Sequence, residues 1–332
     1  MDAASSQTRA EPEVDVDALL GPEPPSVRQS LTRLLWFPAA LLAAAAFYYL
    51  GGALYVHEID DDPEYATEIE VPEAASRAVH MAGLLLDREV NLHHWVANDP
   101  AFLPGYVLDN MPAFQNGIVV ALGRFAAELR DSLGRRRGSS EGDPDLEAAA
   151  GRLNYPGDIW IFEWSSTPVQ PSSESQYRRA YDDLRRYNER LARGEATFDR
   201  RPDNLFVTLD RIGADIGALS AAQAQAVDER ATALIDTQAD NLFYQAKGRL
   251  YAYHLILREL RRDFDRVIAE RNLTGVWDEM LSSLRAAATV RPWFVTNGPL
   301  DSQSTPNHLA AQGFLLLRAR TQLRELKDIL AK

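Results

Sequence analysis

A chain of 332 residues, 46% apolar and 25% charged, is long enough for one large or two medium domains and excludes disorder throughout. Its 48 acidic residues against 35 basic ones give a net charge of −13, which argues against nucleic acid as a partner, because a duplex-binding surface needs Lys and Arg in excess. With no cysteine, disulfides, zinc–thiolate sites, iron–sulfur clusters and thiol chemistry are excluded together.

Residues 1–30 read as a disordered, acidic and proline-rich leader that includes EPEVDVDALLGPEPPS, a composition unable to bury enough apolar surface to order itself. Residues 31–56 read as a transmembrane anchor. From Leu34 to Val56 run 23 residues without a charge, about 34 Å of helix at roughly 1.5 Å per residue, enough to cross a bilayer. Trp36 and Tyr55 suit the two interfaces, and Pro38 falls in the first turns, where a missing N–H costs least. Arg28 and Arg33 precede the span, no basic residue follows it until Arg77, and eight acids stand between Glu58 and Glu73. That bias predicts a cytoplasmic N-terminus and an exported domain from His57 onward. A cleavable signal peptide fits less well, because a long acidic leader replaces the short basic region such peptides begin with. After residue 33, 42 acidic residues face 32 basic ones, so the exported part should be repelled by anionic lipid.

The remainder is expected to be all-α, a multi-helix bundle of about seven helices with one short extended segment, in two subdomains, 57–170 and 171–332. Leu205, Leu209, Ile212, Ile216 and Leu219 alternate four and three apart, and Leu309, Leu316, Leu323 and Leu330 share one heptad position. Phe243, Leu250, Leu257 and Phe264 form such a stripe from Asn241 to Ala269, and Tyr177, Leu184 and Leu191 do so from Ser172 to Arg193. Asp143-Pro144 and Thr305-Pro306 read as an N-cap followed by proline at the first helical position, and Gly194 reads as a helix end. Glu174 to Arg178, Asp182 to Arg186 and Glu189 to Arg193 stand in helix-supporting i, i+4 order on an exposed face. Between Tyr155 and Pro171, Ile159, Trp160, Ile161, Phe162 and Trp164 favour an extended strand followed by a loop, a clasp between the subdomains.

No phosphate-cradling Gly loop, dinucleotide fingerprint, G-x-S-x-G elbow or H-E-x-x-H occurs. A polar and aromatic block remains: Glu89, His93, His94, Trp95, Asn98 and Asp99, then Asp109, Asn110, Gln115 and Asn116 around Pro100, Pro104 and Pro112. It is the candidate binding cleft for a peptide, glycan or metal. Glu89 and His93, four apart, would share a helix face and with Asp99 make a weak metal set. The plainer reading places Glu89 and His93 as an ion pair on a solvated face, with His94 and Trp95 packing inward. Arg135, Arg136 and Arg137 with Ser139 and Ser140 are a candidate anion-binding turn, or a solvated loop. No cofactor is predicted. The expected partners are the lipid bilayer, through residues 31–56, and an envelope protein, with room left for a homo-oligomer. The alternative is a periplasmic hydrolase, metal-dependent or not, acting on cell-wall or lipid material.

The stretches VHEIDDDPEY, DREVNLHHWVANDPAFLPGYVLDNMPAFQNGI, RGSSEGDPDLE and PNHLAAQGFLLLRARTQL together resemble the bacterial family known as domain of unknown function 2333. The resemblance implies a bacterial single-pass membrane protein, which with the charge bias gives an expected place in the inner membrane with the domain periplasmic, and it brings no activity or catalytic residues with it.

Overall fold

The computed structural model describes residues 27–137, 142–161, 169–230, 237–300, 302–303 and 305–332. Residues 1–26 of the acidic leader lie outside the described residues, as do Phe162 and Trp164 of the expected strand and Ser139 and Ser140 of the candidate anion turn, while leader residues 27–30, expected to be disordered, are helical. The chain forms two units, residues 1–48 and 49–332. Described in the first are residues 27–48 of helix α1 (Val27–Val56), which contains Pro38 and includes an apolar stretch, Trp36–Val56, long enough to cross a membrane.

The second unit takes the last turns of α1 and then α2 (Arg77–Asp87), α3 (Asn110–Arg137), α4 (Pro144–Leu153), α5 (Ser173–Ala192), α6 (Pro202–Arg230), α7 (Thr237–Asp263), α8 (Asp265–Glu270), α9 (Thr274–Ala288) and α10 (His308–Leu330). No strand occurs among the described residues, and one isolated bridge pairs Asn297 with Asn307. Of the expected strand only residues 155–161 are described, and they form no strand; Phe162 and Trp164 lie outside the described residues. Its described part is tied back by Ser173 N–H to the Ile159 carbonyl at 3.0 Å and by Gln170 N–H to that of Ile161 at 3.2 Å, too brief a pairing to make a ladder.

Helix α7 is the hub, with α3, α2 and α9 packed on it; α10 packs on α6 and α9, and α4 on α3 and α5. Every side chain of α7 from Leu250 to Leu257 is buried, because helices cover more than one of its faces. The core is continuous from Ala78 to Leu330 and draws on both sides of residue 170, since α5 packs on α2 and α4. Fully buried Phe114, Leu250 and Leu257 each contribute about 1.5–3 kcal/mol relative to exposure.

Local signals act as the sequence implies at several ends. Asp143 caps α4 by accepting from the N–H groups of Asp145 and Leu146, with Pro144 at the first helical position. Gly194 follows α5 at φ +73, a conformation a β-carbon would strain. Thr305-Pro306 is a correction: α10 starts two residues later, capped by Asn307, whose Oδ1 accepts from Ala310 N–H at 2.7 Å. The Pro306 carbonyl is engaged elsewhere, accepting from Thr296 Oγ1 at 2.7 Å. The arginines of α5 are a second correction. Glu174 and Arg178 meet at 3.8 Å as expected, but Arg186 reaches Asp145 at 3.2 Å and Arg193 reaches Glu195 at 2.9 Å, leaving Asp182 and Glu189 to Arg185; Arg190 likewise reaches Asp143 at 2.6 Å and Asp145 at 2.7 Å. Acids at the N-terminus of a neighbouring helix outcompete partners on the same exposed face.

Candidate functional site

Helix α2 loosens at its end into a single π turn, Arg88–Leu92, and the chain leaves it extended at His93. This wider turn aims Arg88 and Glu89 together into the interior, where both are buried. The Arg88 guanidinium donates to Glu89 Oε1 from Nη2 at 2.7 Å and from Nε at 2.9 Å. It also donates to Asp60 Oδ2 and to the Tyr251 hydroxyl, each at 2.9 Å, and to the Asp60 carbonyl at 3.1 Å. Its Cζ lies 4.6 Å from the Tyr65 ring centre and 5.1 Å from that of Tyr251. A planar five-donor group is thus shared between a helix end and the segment that follows α1.

His93 stands between two carboxylates, Nδ1 at 3.8 Å from Glu89 Oε1 and Nε2 at 3.6 Å from Glu58 Oε1. Both are ion contacts, too long for hydrogen bonds. Glu89, then Glu58, holds His93 above its usual value against its partial burial. Burial pushes Glu89 up, but His93 and Arg88 outweigh it and hold the carboxyl below its ordinary range. Glu89 Oε2 and His93 Nδ1 have no hydrogen-bond partner among the described residues. Glu89 and His93 do face each other, as their spacing implies, though Glu89 is sealed inside rather than solvated.

The rest of the polar block ties the following loop down. Trp95, fully buried, donates from Nε1 to the Gly157 carbonyl at 3.0 Å and meets Tyr177 edge-on at 4.9 Å. Asn98 donates to the Ile159 carbonyl at 3.0 Å. Gln115 is buried; its Oε1 accepts from Val96 N–H at 3.2 Å and its Nε2 donates to the His94 carbonyl at 2.9 Å. His94 is half-exposed rather than packed inward, with Nε2 3.4 Å from Asp99 Oδ1, so Asp99 pairs with His94 and does not join Glu89 and His93. Asp99 also presses on Gly105, where a β-carbon would fall 2.1 Å from its Oδ2. Asn116 lies against Gly157 in the same way, its Oδ1 1.9 Å from where a β-carbon would be. Asp109 is exposed and accepts from Asn110 N–H at 2.9 Å at the start of α3; Asn110 Oδ1 is buried without a partner among the described residues. Asp240 is pushed up to about 6 by burial and by the charge of Asp109.

A second feature went unseen in the sequence. Lys247, Tyr251, Arg258 and Arg262 fall on one stripe of α7, and the acidic segment after α1 is laid along it. Lys247 Nζ meets Asp61 Oδ2 at 2.6 Å, and the Tyr251 hydroxyl donates to the Asp62 carbonyl at 2.9 Å. Arg258 donates to the carbonyls of Pro63 at 2.9 Å and Tyr65 at 2.8 Å, and Arg262 to that of Thr67 at 3.3 Å. Arg291 closes on Asp61 from outside, with Nε 3.0 Å from Oδ2. The signal was present as four donors at helical spacing beside the stripe of Phe243, Leu250, Leu257 and Phe264, but an apolar count passes over it.

Among the described residues no group of three His, Asp or Glu side chains could hold a metal ion. Arg135, Arg136 and Arg137 form the last turn of α3, and their side chains lie outside the described residues. A concave surface of about 270 Å³ opens between α2 and α5, lined by Val79, His80, Leu84, Tyr181 and Leu184; none of the polar block lines it. These are the arrangements of an all-α domain that follows a helix long and apolar enough to cross a membrane, with most of its polar block engaged in internal contacts. Residues 64–238 match the family described as an uncharacterized protein conserved in bacteria, DUF2333, and the chain belongs to that family. The match spans α2 to α6 and ends before the tail motif. No curated protein and no solved structure matches the chain.

Proposed function

We propose that this chain is a single-pass protein of the bacterial inner membrane, with its N-terminus cytoplasmic and its helical domain periplasmic, serving as an interaction or scaffold module of the envelope. The observation that carries the reading is the attachment of residues 58–67. A flexible tether would leave this acidic segment in solvent, whereas here Arg88, Lys247, Arg258 and Arg262 hold it along the domain. Fixing a domain's position against the bilayer suits a module that presents a surface to a partner. The hydrolase alternative draws less support, because Glu89, a carboxylate of the candidate cleft, is wholly buried and out of a substrate's reach. Orientation rests on Arg28 and Arg33 before the span and the run of acids after it.

In-membrane crosslinking with mass spectrometry tests the role, and a reproducible envelope protein partner is the expected result. Release of products from peptidoglycan or lipid by the purified chain, with no partner captured, would replace this reading with the hydrolase. Alkaline phosphatase fused after residue 332 should be active and green fluorescent protein at the same point dark; the reverse would invert the topology.

A further inference from the structure

We infer that the loop of residues 100–108 is a second membrane contact, inserted into the outer interface of the bilayer that α1 crosses. The inference rests on α1 being a membrane span. The loop reads PAFLPGYVL, nine residues without a charge, and it is docked on α1 within the apolar stretch rather than beyond it. The Tyr49 hydroxyl donates to the Ala101 carbonyl at 2.5 Å. Gly52 lies so close to Pro104 that a β-carbon there would fall 2.5 Å from the proline Cβ.

Tyr49 and Gly52 precede Val56, the last residue of α1, by seven and four positions. At roughly 1.5 Å per residue the loop therefore sits about 6–10 Å below the outer end of the helix. Lipid, not bulk water, surrounds that depth if the apolar stretch spans the core.

Three features fit the loop to such surroundings. Phe102, Tyr106 and Val107 are 59%, 60% and 51% exposed, and large aromatic side chains are the type that settles at the headgroup level. Part of the backbone is satisfied within the loop: Leu103 N–H reaches the Pro100 carbonyl at 2.8 Å, Tyr106 N–H that of Leu103 at 3.2 Å and Leu108 N–H that of Gly105 at 3.0 Å. Each such bond lowers the cost of entering lipid. Asp99, the charge at one end, is turned inward onto His94 and Gly105. The ligand class is the acyl and glycerol region of phospholipid, recognised by apolar burial rather than charge, in keeping with an acidic domain.

The full chain in phosphatidylcholine vesicles supplies the test. Because the sequence lacks cysteine, a nitroxide can be placed singly through Phe102→Cys, Tyr106→Cys, Phe47→Cys in α1 and Glu195→Cys after α5. Relaxation by oxygen, which concentrates in lipid, is compared with relaxation by a water-soluble nickel chelate. Labels at 102 and 106 should behave as the label at 47 does, oxygen-accessible and nickel-protected, with the ratio reversed at 195. Nickel access at both 102 and 106 while 47 stays protected would overturn the inference and leave the anchor standing. Nickel access at 47 as well would bring down the membrane span and this inference with it.

Discussion

Lys247 Nζ stands 2.6 Å from Asp61 Oδ2, and neither side chain is more than 2% exposed. The lysine also donates to the Val290 carbonyl at 2.7 Å, and Arg291 supports Asp61 from the surface. Burial pushes the Asp61 carboxyl up, but Arg291 and Lys247 outweigh it and hold it below the usual range. Burial pushes Lys247 down, and Asp61 only partly restores it. Five residues past the end of α1, a buried ion pair thus fixes where the chain joins its domain.

Removing one partner should cost far more than removing both. Asp61→Ala strands a buried ammonium and should destabilise the domain by about 3–5 kcal/mol, while Asp61→Leu with Lys247→Met should recover most of that loss. Urea unfolding of the detergent-solubilised chain, followed by far-ultraviolet circular dichroism, measures both. Equal losses in the single and double variants would show that the pair is not sealed from water.

His254 should make the fold sensitive to acid. Burial, then the charge of Arg258 and further that of Arg285, pushes its pKa down to about 4 from an ordinary 6.5. A base held neutral in the folded state contributes stability that is full above 6.5 and is lost as pH falls toward 4, because the unfolded chain takes up the proton first. The loss should be on the order of 3 kcal/mol. Replacing His254 with Phe should flatten the stability profile over that window, and an unchanged slope would reject the assignment.

His93 should act with the opposite sign. Its pKa is raised by Glu89 and then Glu58, so its contribution is full below 6.5 and fades as pH climbs through the higher folded value. Wild type should exceed His93→Gln in stability at pH 6, with the gap closing in mild alkali. Urea midpoints for the two proteins at a series of pH values give the comparison directly. A gap that widened with pH would mean that His93 is held neutral.

The parts of this fold that depend on local periodicity were open to inspection of the chain, and those that depend on distant contacts were not. The stripe through Tyr177, Leu184 and Leu191 marks α5 to within a residue or two of its ends, and Leu309 to Leu330 marks α10. The stripe from Asn241 to Ala269 promised one helix, yet α7 stops at Asp263. The Asp263 carboxylate turns instead to the start of α2, accepting from Ser76 Oγ at 2.7 Å and from the N–H groups of Arg77 at 2.9 Å and Ala78 at 3.0 Å. No spacing announces a cap supplied from so far along the chain. For the polar block, residue types pointed to the right neighbourhood, but hydrogen bonds such as Gln115 to the His94 carbonyl arise only once α3 is docked. Equally, the acids of residues 58–64 read as a topology signal, and their segment turns out to be bound along α7, through the Asp61 carboxylate on Lys247 and the Asp62 carbonyl on Tyr251.

Glycine substitution separates local propensity from packing. Gly117 of α3, Gly248 of α7 and Gly151 of α4 all lie within helices, where alanine is ordinarily preferred by about 1 kcal/mol. At Gly151 a β-carbon meets nothing within 4 Å, so Gly151→Ala should stabilise by roughly 0.5–1 kcal/mol. A β-carbon at Gly117 would fall 2.2 Å from the Gln245 carbonyl oxygen, and one at Gly248 would fall 2.0 Å from that of Phe114. The obstacle in each case is backbone, which cannot swing aside as a flexible side chain would, so α3 and α7 must separate and loosen the core around Phe114 and Tyr251. Gly117→Ala and Gly248→Ala should therefore each lose about 1–3 kcal/mol despite their better helix propensity. Thermal melts of the three variants decide the matter, and a gain at Gly117 or Gly248 would mean that the two helices do not cross as closely as described.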